Sequence, residues 1–172
     1  MPTLVRRGGL LALCVALCAA LSACMVQLAP AYDTTIVGGL NSANQDIHAL
    51  FAQIGTATTP DTFSARKPQY DQIVAELGAT ETQIRTRPMP SSAAIKKAAA
   101  ALARMHVAGV AVDPNFTVYP SARAVADLKD TIQHMEAADE KTGLRGGLLA
   151  AFQNQAETFL TQAMTYENYL KR

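Results

Sequence analysis

The stretch Tyr32-Asp-Thr-Thr-Ile-Val-Gly-Gly-Leu-Asn-Ser-Ala-Asn-Gln-Asp-Ile-His-Ala-Leu-Phe-Ala-Gln-Ile54 decides the fold class. Ile36, Leu40, Ala43, Ile47, Leu50 and Ile54 recur at alternating spacings of four and three, with Phe51 widening the seam. That period places one apolar stripe along an α-helix, and a strand would need a period of two. Asp33 suits the N-cap and Gly55 the stop, so the first helix is expected over about 33–54. Gly38 and Gly39 weaken its first turns; they either permit close packing or place the true start nearer Asn41.

The same pattern recurs downstream. Tyr70, Ile73, Leu77, Thr80 and Ile84 step by three and four. That helix begins at Pro68, with proline in its first turn, or at Asp61 with a kink. Pro88 and Pro90 bring it to an end. Ser91 or Ser92 then caps a third helix with Ile95, Ala98 or Ala99, Leu102 and Met105 on one face, closed by Gly109. Residues 107–120 are the least helical: Val110-Ala-Val112 and Phe116-Thr-Val-Tyr119 flank the turn tripeptide Asp113-Pro114-Asn115, as a short hairpin or an extended loop.

Ser121 is expected to cap the next helix, with Val125, Leu128, Ile132 and Met135 as its stripe. A further stripe runs through Leu148, Phe152, Ala156, Phe159, Ala163, Tyr166 and Leu170. Gly143, Gly146 and Gly147 favour a turn between these two helices over one bent helix. In the last turn Glu167 stands four residues before Lys171, a mildly stabilising pair. The expectation is an all-α domain, a bundle of four or five amphipathic helices over residues 32–172.

The N-terminus reads differently. Arg6 and Arg7 precede an apolar run from Leu10 to Leu21, too short to span a bilayer permanently and arranged as in a secretory signal. The run ends in Leu21-Ser22-Ala23-Cys24, which resembles the lipobox of bacterial lipoproteins. The resemblance implies cleavage after Ala23, recognition of Leu21, Ser22 and Ala23 by the signal peptidase, and acylation of Cys24. Residues 1–23 would then be a discarded signal and 24–31 a lipidated tether holding the bundle to a lipid bilayer. Met25, not Asp, follows the anchor, which by analogy with Gram-negative sorting implies the outer membrane, facing the periplasm. The mature part also bears a loose similarity to small proteobacterial lipoproteins, through Tyr32-Asp33 and the terminal Glu167 to Arg172.

Cys14 and Cys18 fall inside the expected signal, so a mature chain would hold no free thiol. Setting aside Arg6 and Arg7 leaves 13 basic against 14 acidic side chains, which argues against nucleic acid as a partner.

Signals for chemistry are weak. His48, His106 and His134 lack metal-ligand spacing, and the Glu-x-x-His pair of di-metal bundles is absent from the sequence. Ser64-Ala-Arg-Lys67 has a Ser-x-x-Lys spacing but none of its companion motifs. Asp127/Asp130 and Asp139/Glu140 lie in polar stretches and read as solvated helix faces. The sequence therefore predicts no catalytic residue, no metal and no cofactor. The candidate contact surface is the apolar loop formed by Val110, Val112, Phe116, Val118 and Tyr119. The expected function is a non-catalytic envelope interaction or structural module. The alternative is a carrier of a small apolar ligand or cofactor between helices.

Overall fold

The computed structural model describes residues 29–104 and 117–171, and among them it contains five α-helices and no strand. The helices are α1 (Thr34–Ile54), α2 (Lys67–Arg85), α3 (Ser92–Arg104), α4 (Pro120–Thr142) and α5 (Gly146–Tyr169); a 3-10 helix, Pro60–Ala65, precedes α2. The chain divides into two compact units. One comprises Pro30–Met89 and Asn115–Arg172; the other includes α3 and is described by itself.

In the larger unit α1 packs on α2, α2 on α4, α4 on α5 and α5 on α1, closing a four-helix ring. The expected stripes of α1 and α2 are the buried residues of those helices, Ile36 to Ile54 and Tyr70 to Ile84. From α4, Val125, Leu128, Ile132 and Met135 join the same core. Each such aliphatic side chain is worth about 1.5–3 kcal/mol when buried, so these seams, not the ion pairs described below, supply the bulk of the stabilisation.

Local chemistry sets the element ends. Asp33 accepts a hydrogen bond from the Thr35 N–H at 2.8 Å, fixing the start of α1. Gly55, at φ 62°, ends it by donating its N–H to the Phe51 carbonyl. Of the two starts open for the second helix, the structure takes Pro68 in the first turn, with Asp61 in the separate 3-10 turn ahead of it. α1 is unbroken through Gly38 and Gly39. The close-packing role belongs to Gly39, where a Cβ would lie 2.6 Å from Thr80 Oγ1. Gly143, at φ 71°, separates α4 from α5, so these are two helices joined by a turn.

Two local expectations are corrected. Ser121 does not cap α4: Pro120 occupies the first helical turn, Tyr119 takes the cap position, and Ser121 lies inside the helix with its hydroxyl buried and unpaired. The α5 stripe is rotated from the one expected. Leu149, Ala156, Leu160, Ala163 and Glu167 are buried, Phe152, Phe159 and Tyr166 sit half-buried at its edge, and Leu148 is 46 % exposed.

In the smaller unit, α3 is capped by Ser91, whose Oγ accepts from the Ala94 N–H at 3.2 Å. Ile95 is buried, while Lys96, Lys97 and Arg104 are exposed. Met105 and the expected stop at Gly109 lie outside the described residues.

Candidate functional site

The bundle has a buried ion pair at each end. At the end where α1 turns into α2 and α4 into α5, the carboxylate of Asp139 is completely buried. Arg66, itself 4 % exposed and set at the junction between the 3-10 turn and α2, donates from Nε to Asp139 Oδ2 at 2.7 Å and from an Nη to Oδ1 at 2.8 Å. The Tyr70 hydroxyl donates to Oδ2 at 3.2 Å, and the Thr58 hydroxyl donates to Oδ1. Thr58 Oγ1 also accepts from the Leu144 N–H at 2.8 Å, while the Thr58 N–H donates to the Leu144 carbonyl at 2.8 Å. One carboxylate thus ties the α1–α2 connection to the α4–α5 turn. Burial pushes the Tyr70 phenol far above its ordinary value, and the negative charge of Asp139 pushes it further.

At the opposite end, Arg87 donates both Nη groups to the fully buried Glu167, at 3.0 and 2.7 Å. Beside it the Tyr119 hydroxyl donates to the Pro88 carbonyl at 2.7 Å. Burial raises the Tyr119 phenol, against a smaller lowering by Arg87. Between the two ends, Glu81 binds Arg85 on its own helix and Lys129 on α4, at 2.7 and 2.6 Å. Burial alone would raise Glu81, but these two cations hold its carboxyl below the ordinary range.

Two carboxylates differ from the sequence expectation. Asp139 does not solvate a helix face, and Glu167 pairs with Arg87. A signal was present. Leu128, Ile132, Met135 and Asp139 keep the four-three-four step, as do Ala156, Leu160, Ala163 and Glu167. A carboxylate in register with an apolar seam is buried, and a buried carboxylate requires a cation.

Of the candidate contact loop, Val110, Val112 and Phe116 lie outside the described residues. Val118 is half-buried against the core and Tyr119 is 2 % exposed. The Tyr119 ring belongs to the core at the bundle end, and its hydroxyl is bonded to the Pro88 carbonyl. His48 and His134 are exposed on α1 and α4, His48 lying edge-on to Phe51, and His106 is outside the described residues. Ser64 is exposed in the 3-10 turn. Among the described residues no three His, Cys, Asp or Glu side chains group as metal ligands. A shallow open groove of about 540 Å³ runs along α5, lined by Pro120, Thr161, Gln162, Thr165, Tyr166 and Tyr169.

The fold and these clusters define an all-α protein with a four-helix bundle pinned at both ends by buried arginine–carboxylate pairs. No protein-family model, no curated protein and no solved structure matches the chain.

Proposed function

We propose that this chain is an exported lipoprotein whose bundle is a non-catalytic interaction or structural module, held to the periplasmic face of an outer membrane by acylated Cys24. The observation that carries the reading is Leu21-Ser22-Ala23-Cys24 at the end of the apolar run from Leu10. After Cys24 only seven residues precede Tyr32, so an anchored bundle stays within about 25 Å of the bilayer, at roughly 3.4 Å per extended residue. Among the described residues no helix is long and apolar enough to cross a membrane. In this reading the attachment rests on acyl chains, each buried methylene contributing about 0.8 kcal/mol.

The two buried carboxylates support a structural role for the bundle interior. Asp139 receives four donors and Glu167 two from one guanidinium, which leaves both engaged in holding helices together. A general acid or base needs an oxygen that meets a substrate proton.

The carrier reading has one observation in its favour, the groove along α5. That groove is open to the surface, whereas a carried apolar ligand is held in a concave pocket that buries most of its area.

The test is metabolic labelling with a fatty acid in cells producing the native chain or Cys24→Ala. The native chain takes the label and sediments with membranes, and the variant does neither. Equal labelling of both would refute the proposal.

A further inference from the structure

Charge is distributed unevenly in this chain. From Thr82 to Val112 there is no Asp or Glu, while Arg85, Arg87, Lys96, Lys97 and Arg104 all fall in that stretch. Arg85 is bound to Glu81 and Arg87 to Glu167. Lys96, Lys97 and Arg104 lie on α3. Lys97 and Arg104 are seven residues apart, two helical turns, so they stand one above the other, and Lys96 flanks them. All three are exposed, while Ile95, on the other side of the helix, is buried. Lys96 and Lys97 make no ion pair with any described residue.

Topology adds a second observation. Tyr32 lies under Lys171, Arg87 on Glu167, and Tyr119 on Pro88, so the start of α1, the end of α2, the start of α4 and the end of α5 share one end of the bundle. Pro30 to Asp33 lead into α1 at this end. The chain also departs from it at Met89, with only Pro90 and Ser91 before α3, and returns to it at Thr117.

The geometry points to α3 as a membrane-contacting element: Lys96 and Lys97 rest on anionic phospholipid headgroups and add an electrostatic contact to the acyl anchor. This rests on the lipid-anchor reading, which supplies the membrane. Acyl chains bury in a bilayer whatever its headgroup charge. A basic face added to them acts within a Debye length of the surface, about 8 Å at physiological salt, and only where the lipid is anionic.

The experiment uses the full chain purified from membranes and mixed with vesicles of phosphatidylcholine, with or without about a third phosphatidylglycerol. Lys96→Gln/Lys97→Gln is compared with Lys141→Gln/Arg145→Gln, which removes as much charge from the exposed surface around the opposite turn. Each cation near an anionic surface strengthens binding about fivefold, so the first variant loses roughly 25-fold of the preference for phosphatidylglycerol. The second keeps it, and 0.5 M salt abolishes it in both. Equal losses in the two variants, or no loss in either, would overturn the proposal. Fatty-acid labelling in the same preparations separates this from the anchor. A labelled chain without the charge-dependent preference sinks only the basic face, and an unlabelled chain that retains it sinks only the anchor.

Discussion

Arg66 and Asp139 are 73 residues apart in sequence and share two hydrogen bonds of 2.7 and 2.8 Å inside a fully buried corner of the bundle. An isolated charge in that position would be prohibitive, and each partner makes the other tolerable. Such a pair adds little over well-packed apolar residues. It ties the α1–α2 connection to the α4–α5 turn through Thr58, Arg66 and Leu144.

Removing one partner is therefore costly. Asp139→Ala leaves Arg66 buried and unpaired and is expected to cost about 3–5 kcal/mol in urea unfolding, while Arg66→Met/Asp139→Leu recovers most of that loss. A cost below about 1 kcal/mol for the single change would show that the corner does not hold the bundle end.

The other end separates two partners for Glu167. The sequence offers Lys171 at i+4, and the structure gives Arg87. Lys171→Ala is expected to change stability by less than about 0.5 kcal/mol, as for an exposed charge. Arg87→Ala should cost about 3 kcal/mol, as for a broken buried pair. Thermal melts of the two variants side by side decide between them.

Adjacent glycines in α1 should respond with opposite sign. Gly38 has open space around its Cα, so Gly38→Ala should stabilise by up to about 1 kcal/mol through helix propensity. At Gly39 the new methyl would meet the buried Thr80 hydroxyl, at a cost of about 1–3 kcal/mol. Thr80→Ala in the same chain should relieve that clash, and a double-mutant cycle by urea unfolding measures the relief.

Alkaline pH probes Tyr70. Its folded phenol is raised far above the ordinary value of 10, by burial first and Asp139 second. The unfolded chain thus loses this proton first, and stability that is complete below pH 10 falls as pH rises beyond it. Melting temperature should drop between pH 9 and 11, and Tyr70→Phe should flatten that drop while costing about 1 kcal/mol at pH 8. An unchanged slope in the variant would remove Tyr70 from the account.

How far the sequence could be read follows from what each residue needs. The seams of α1 and α2 were legible residue by residue, because their buried faces are almost wholly apolar and keep a strict step. The α5 seam is legible in part. Ala156 and Ala163 are on the expected stripe and are buried, whereas Leu149, Leu160 and Glu167 take the central places that the large side chains at 148, 152, 159 and 166 suggest for themselves. Asp139 and Glu167 are harder to read, because residue type suggests solvent for the one and a local Lys171 partner for the other, and only their register on the apolar seams points inward. Arg66 carried no local signal, since its partner is distant in sequence and only the tertiary fold brings the two together. The Leu21–Cys24 motif is different in kind: it is a short-range chemical signal that stands apart from the helical pattern.

The central claim concerns one thioether, and intact-mass spectrometry of the protein extracted from membranes reads it directly. The account predicts a chain beginning at Cys24 and heavier than its amino acids by a diacylglyceryl group, with a further acyl chain on the amine. A product that retains residues 1–23, begins at another residue, or carries an unmodified Cys24 would contradict it.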